Sequence, residues 1–173
     1  TENHIVVLKM EVIRNLIPLN NFLHEIRELA TKNNIVLIFD ACTSGFRENF
    51  GGIHLNYQVK PDIAIFGKAL GNGYAITAVV GTQNVMEAAQ KSFISSTFWT
   101  ERIGVSAALK TLEIMEKIKS WEIITNIGKK IRMIWQDISD DNNLSINISG
   151  IPALSSFNFL SENNLKYKTL ITQ

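Results

Sequence analysis

Ile35-Val36-Leu37-Ile38-Phe39 runs directly into Asp40, and Asp62-Ile63-Ala64-Ile65-Phe66 runs through Gly67 into Lys68. Both runs are apolar throughout rather than alternating, which is the pattern of strands covered on both faces. Between Asn20 and Ala30 the apolar residues Phe22, Leu23, Ile26, Leu29 and Ala30 fall at helical spacing. Strand and helix in alternation predict an α/β fold: a mostly parallel sheet with helices on both faces. Ligands of such open sheets collect beyond the carboxyl ends of the strands. If the two runs share a sheet, Asp40 and Lys68 therefore bring a carboxylate and an amine to one cleft.

Working outward, His4-Ile5-Val6-Val7-Leu8 reads as a first strand, and Ile76 to Val80 as another, closed by Gly81. Helices are expected at Val85 to Lys91, Gly104 to Lys119 and Ser120 to Gln136. The polar stretch Asp137-Ile138-Ser139-Asp140-Asp141-Asn142-Asn143 reads as a junction. Leu144 to Ile148 and Ala153 to Leu160 follow as two strands, and Leu165 to Gln173 as the first turns of a helix. The expected division is residues 1–136 in a larger domain and 137–173 in the beginning of a smaller α+β one. A chain that opens on a strand and closes inside a helix reads as a fragment.

Composition narrows the function classes. Of 173 residues 46% are hydrophobic and 19% charged, and 17 Lys+Arg against 16 Asp+Glu leave a net charge of +1. Nothing in that balance favours nucleic acid or an anionic membrane surface. One cysteine, Cys42, excludes an internal disulfide and a cysteine metal cluster. His4, His24 and His54 lie at no metal-ligand spacing. No apolar run approaches the ~20 residues of a membrane span, and the expected location is the cytoplasm.

An apolar strand ending in Asp also occurs where nucleotide hydrolases hold magnesium, but those enzymes need G-x-x-x-x-G-K-[ST]. Here Ala69 follows Gly67-Lys68, and Asp62 stands five residues before Gly67. The magnesium reading fails on both positions. Lys68 follows a buried strand, where desolvation makes an amine a Schiff-base nucleophile. A carboxylate across the cleft then suits the protonated ring nitrogen of pyridoxal 5′-phosphate (PLP), which it keeps an electron sink.

Leu37-Ile38-Phe39-Asp40, Thr43-Ser44-Gly45-Phe46-Arg47 and Phe66-Gly67-Lys68-Ala69-Leu70-Gly71-Asn72-Gly73-Tyr74 together resemble the class III (ω-type) PLP-dependent aminotransferases. The likeness is greatest to the branch containing glutamate-1-semialdehyde aminomutase, in the Asp40 to Lys68 spacing as well. Glu11-Val12-Ile13-Arg14-Asn15 resembles the family's Glu-Pro-Val-Arg segment, and Ser95-Ser96-Thr97-Phe98-Trp99-Thr100-Glu101-Arg102 its Ser-Thr segment. The resemblance implies the fold-type I large domain and a set of roles. Lys68 would form the Schiff base and carry the proton, and Asp40 would bind the pyridine nitrogen. Cys42 would pack on the ring, and Thr43 would lie near the phenolic oxygen. Ser96 and Thr97 would reach across a homodimer to the partner's cofactor phosphate.

The implied reaction is amino-group transfer between a small amino compound and a carbonyl, or its intramolecular version, 2,1-aminomutation. A catalytically inactive relative that keeps only the fold or the dimer surface is the alternative. Three positions depart from the family pattern: Ala41 replaces a Glu, Val12 a Pro, and Ala75 a Pro. The family's phosphate turn and ring-stacking aromatic are expected before Thr1, and the rest of the small domain after Gln173. The Lys129-Lys130-Ile131-Arg132 helix face is read as solvated, Trp99, Trp121 and Trp135 as packing residues, and Glu101-Arg102 as an interface ion pair.

Overall fold

A computed structural model of the protein describes residues 5–173. The apolar, β-branched runs form Val7–Met10 (β1), Val36–Asp40 (β2) and Ile63–Phe66 (β3), which pair in parallel in that order. Ala78–Gly81 (β4) closes the edge antiparallel to β3. The register sets Val7 opposite Val36 and Asp40 opposite Ile65. The expected α/β class, mostly parallel, is the one the chain adopts. Its first strand starts at Val7, later than expected, and His4 lies outside the described residues.

Helix α1 (Phe22–Lys32) places Glu25 in its first turn and Lys32 in its last, each complementing the helix dipole. It stops at Asn33, followed by Asn34 in the left-handed region at φ 53°. Its Leu23 and Ala30 pack with Leu37 and Phe39 of β2, both fully buried, and with Ile53 and Val59. Strand side chains alternate between faces, so Val36, Ile38 and Asp40 share the opposite face, where burial is only partial. On that face Val7 and Val79 are about half exposed, at 46% and 51%.

Asp62 joins β2 to β3 at their amino ends. Its N–H donates to the Leu37 carbonyl (2.8 Å), and its Oδ2 accepts from the Leu37 N–H (2.8 Å) and from Arg27 Nη1 (2.8 Å). The side chain thus stands in for a ladder carbonyl where β3 has not yet begun.

Beyond β4 the chain is helical. The helix expected over 85–91 is a short α2 (Gln83–Met86) followed by a tighter 3₁₀ turn, Glu87–Lys91. Helices α3 (Ile103–Ile118) and α4 (Ser120–Asp141) meet at Lys119, whose φ of 50° breaks the helical path. Glu101 caps α3, its carboxylate accepting the amides of Ile103 and Gly104.

Helix α4 runs five residues past Gln136, so the first part of the polar stretch expected to be a junction is helix. Gln136 donating to Asp140 (2.8 Å) and the buried Ser139 donating to the Leu144 carbonyl hold that end. A hairpin of β5 (Ile146–Ser149) and β6 (Ser156–Phe159) follows, then α5 (Asn164–Thr172). Ala153 and Leu154, expected to open the second strand, lie instead in a 3₁₀ turn, Pro152–Leu154, begun by Pro152. Gly128 seats α4 on that turn: a Cβ there would lie 2.0 Å from the Pro152 carbonyl oxygen.

Arg132 is not solvated as its basic neighbourhood predicted. It donates to Ser155 Oγ (2.6 Å) and the Gly150 carbonyl (2.6 Å). Trp135 packs edge-on to Phe157 and Trp121 against Phe50, whereas Trp99, also expected to pack, is 67% exposed.

Candidate functional site

Two adjacent parallel strands deliver the proposed site. The Ala41 N–H donates to the Ile65 carbonyl (2.8 Å), carrying the ladder one residue past β2 and leaving the Asp40 carboxylate at the sheet's carboxyl edge. Asp40 Oδ1 accepts the Cys42 N–H (3.1 Å), an Asx-type turn that fixes the carboxylate's orientation. Asp40 Oδ2 pairs with Lys9 Nζ at 2.8 Å. The hydrogen bond from the Lys9 ammonium holds the Asp40 carboxyl below its ordinary range, outweighing partial burial, and the Cys42 amide adds to the effect. Lys9 in turn is raised, mainly by the same bond.

Lys68 comes from the next strand. After β3, Gly67 is extended and Lys68 turns left-handed at φ 42°, opening the 3₁₀ turn Lys68–Leu70. A side chain at Gly67 would crowd Cys42 Sγ at 3.3 Å, so the glycine lets the two loops touch. A non-glycine residue in the left-handed region costs on the order of 1 kcal/mol. Lys68 Nζ donates to Thr43 Oγ1 at 2.6 Å. The amine is thus anchored by the loop that follows Asp40.

Asp40, Cys42, Thr43 and Lys68 therefore form one cluster. Burial pushes the Cys42 thiol up, and the neighbouring Asp40 carboxylate adds to that while Lys68 opposes it. Lys68 itself is exposed in this chain, with its Nζ held by Thr43 Oγ1. Ser96 lines a cavity of about 710 Å³ together with Lys68, Tyr74, Thr77 and Trp99. Its Oγ accepts the Phe98 N–H (3.3 Å). Thr97 is exposed and does not line that cavity. Ala41 is 2% exposed.

The donor set fits PLP. Lys68 lies three residues beyond Ile65, the register partner of Asp40, on the order of 10 Å at ~3.3 Å per residue. A pyridine ring plus an outstretched lysine side chain spans such a gap. An ionised carboxylate at one end and a primary amine at the other are the two groups that ring and its aldehyde require.

One participant went unread in the sequence: Lys9. Its signal was a single charge inside the apolar run Val6-Val7-Leu8-Lys9-Met10. His54, by contrast, is buried, with its ring 5.6 Å from that of Phe39. Among the described residues no helix is long and apolar enough to cross a membrane, and no cluster of His, Cys, Asp and Glu is suited to a metal ion.

Known proteins resemble this chain in sequence and in fold. Residues 15–173 match the family described as Aminotransferase class-III. The chain is 36% identical over 157 residues to the 3-aminobutyryl-CoA aminotransferase of Cloacimonas acidaminovorans, covering 90% of this chain and 38% of that protein. It is 40% identical over 108 residues to the glutamate-1-semialdehyde 2,1-aminomutase of Nitrosopumilus maritimus, covering 61% and 26%.

In fold it superposes on the PLP internal aldimine form of the FumI protein of Sphingopyxis sp. MTA144 with a TM-score of 0.87 at 22% identity, covering 92% of this chain and 40% of that one. The ornithine aminotransferase of Plasmodium yoelii follows, with a TM-score of 0.76 at 20% identity, covering 91% and 51%. The chain spans well under half the length of the curated relatives it matches. With its parallel sheet, the sequence match over nearly the whole chain and these structural neighbours, the chain belongs to the class-III aminotransferases, PLP-dependent enzymes of fold type I.

Proposed function

We propose that this chain supplies the cofactor-anchoring lysine and the pyridine-binding carboxylate of a PLP-dependent amino-group transfer, of the aminotransferase or 2,1-aminomutase type. The observation that carries the reading is the placement of Asp40 and Lys68 at the carboxyl ends of neighbouring parallel strands, with Lys68 Nζ hydrogen-bonded to Thr43 of the Asp40 loop. Bound PLP supplies an aldehyde carbon and an electron-withdrawing ring. Asp40, kept ionised, would hold the ring nitrogen, and Lys68 would hold the aldehyde carbon; the Lys68 amine is also the group placed to carry a proton at the substrate's α-carbon.

Thr43 holds that amine on the cleft side, and Cys42 packs beside the ring. Ser96 and Thr97, with their exposed amides and hydroxyls, suit the phosphate of a partner's cofactor in a homodimer. The substrates are a small amino donor and a carbonyl acceptor. Residues 1–136 belong to the large domain and 137–173 to the beginning of the small one, with the boundary falling inside α4, which the two would share.

Borohydride reduction of the purified protein after incubation with PLP, followed by peptide mapping, tests the reading. One cofactor mass on the Lys68 peptide, lost in Lys68→Ala, is expected. Label spread evenly over the lysines, or undiminished in Lys68→Ala, refutes it.

A further inference from the structure

Among the described residues, Lys9 is the one charged side chain that contacts the proposed pyridine-binding carboxylate. It projects from β1, whose register sets it opposite Ile38, so it shares the sheet face of Ile38 and Asp40. Its ammonium reaches Asp40 Oδ2 at 2.8 Å while Oδ1 takes the Cys42 amide. Asp40 is thus engaged at both oxygens before any ring arrives. An ionised carboxylate has about four lone-pair sites, so a further donor can still be accepted.

We propose that Lys9 is a positioning residue for the cofactor: it fixes and neutralises Asp40, so that the ring nitrogen meets a charge-compensated ion pair instead of a bare carboxylate. This rests on the PLP reading of the site given above. The consequence follows from elementary electrostatics. A carboxylate alone raises the basicity of a facing ring nitrogen, and a cation beyond it lowers that basicity again. With Lys9 in place the ring nitrogen holds its proton less tightly than an isolated Asp40 would make it. The ring's electron-withdrawing power is set by the pair and not by Asp40 singly.

The charged and titratable groups around this pair are Glu11, just past β1, which raises Lys9, and Cys42 and Lys68 at the ends of the next two strands. Lys9 is about half exposed, with 56% of its side chain accessible, whereas 20% of the Asp40 side chain is. Salt therefore weakens the pair without abolishing it.

The single cysteine provides a reporter that needs no cofactor. Cys42 donates its amide to Asp40, and its thiol is influenced by Asp40, Lys68 and Lys9. The pH dependence of Cys42 alkylation is measured in the cofactor-free protein for wild type, Lys9→Met, Lys9→Arg and Asp40→Asn. Loss of the cation raises the thiol midpoint in Lys9→Met, Lys9→Arg restores it, and Asp40→Asn lowers it. In the PLP-loaded protein the pH midpoint assigned to the ring nitrogen, followed by its ¹⁵N shift on labelled cofactor, rises by about one unit or more in Lys9→Met and returns in Lys9→Arg.

An unchanged thiol midpoint in Lys9→Met overturns the ion pair. A shifted thiol with an unmoved ring-nitrogen midpoint overturns the role toward the cofactor. A wild-type protein that takes up no PLP refutes the proposed function, and with it the cofactor part of this inference. The ion pair then stands or falls on the thiol titration alone.

Discussion

Asp62→Ala removes one oxygen that serves two donors. Oδ2 accepts the Leu37 amide and Arg27 Nη1, each at 2.8 Å. Leu37 is fully buried, so the amide loses its acceptor where water does not readily replace it. An orphaned buried amide costs about 1–3 kcal/mol. The Arg27 pair, with 20% and 25% of the two side chains accessible, adds up to about 1 kcal/mol. The expected loss is roughly 1–4 kcal/mol, a large part of the ~5–15 kcal/mol that stabilises an ordinary domain.

Asp62→Asn keeps an acceptor and gives up the charge, so its cost is about 1 kcal/mol. Arg27→Met isolates the ion pair at about 1 kcal/mol or less. Urea unfolding followed by tryptophan fluorescence measures all three, and the double variant Asp62→Ala/Arg27→Met must cost less than the sum of the singles because they share one oxygen. If Asp62→Ala and Asp62→Asn unfold within about 0.5 kcal/mol of each other, the Leu37 amide does not depend on Asp62, and this account of the strand junction fails.

Four further outcomes are expected. Gly128→Ala destabilises by roughly 1–3 kcal/mol through overpacking against the Pro152 carbonyl, despite a helix-propensity gain of about 1 kcal/mol; a higher urea midpoint would contradict the packing. Phe39→Ala, at a fully buried position, costs about 3–5 kcal/mol by chemical unfolding, and a loss under about 1 kcal/mol counts against the core described. Burial holds His54 below its ordinary 6.5, so below about pH 6.5 the unfolded chain takes up a proton that the native chain refuses and stability falls. His54→Phe removes that part of the acid sensitivity, and parallel wild-type and variant slopes of stability against pH would refute the assignment. Burial also raises Glu48, partly offset by Lys129 and Arg132; its stability contribution is present below the ordinary 4.5 and lost as pH rises through the native value. Glu48→Gln is therefore the more stable protein near neutral pH, measured by thermal unfolding, with the advantage vanishing in acid.

Asp40 and Lys68 were legible because a charge ending an apolar run marks a strand's end, and both runs form strands of one parallel sheet. Lys9 was not, because its meaning lies in a cross-strand neighbour that periodicity within one segment does not reveal. The end of α4 was misread for a related reason. Asp137, Asp140 and Asp141 look like a loop, yet Gln136 and Asp140 pair one helical turn apart while Ser139 is buried. Polar composition there marks a wet helix face and not a break. The left-handed turn at Lys68 was not legible either, because no local rule assigns that conformation to a lysine.

The β2–β3 ladder has one further consequence. The separation between the two reactive ends is inherited from backbone hydrogen bonding, through register pairs such as Asp40 with Ile65 and through the Ala41 amide on the Ile65 carbonyl. The intervening residues 41–62 shape what surrounds those ends without setting how far apart they stand. Insertions at the exposed positions of that stretch, such as Gln58 and Lys60, leave that separation intact, while a one-residue slip of β3 would disable the pair outright. The working distance of this site is a property of the sheet, and the loop is where a new specificity can be written.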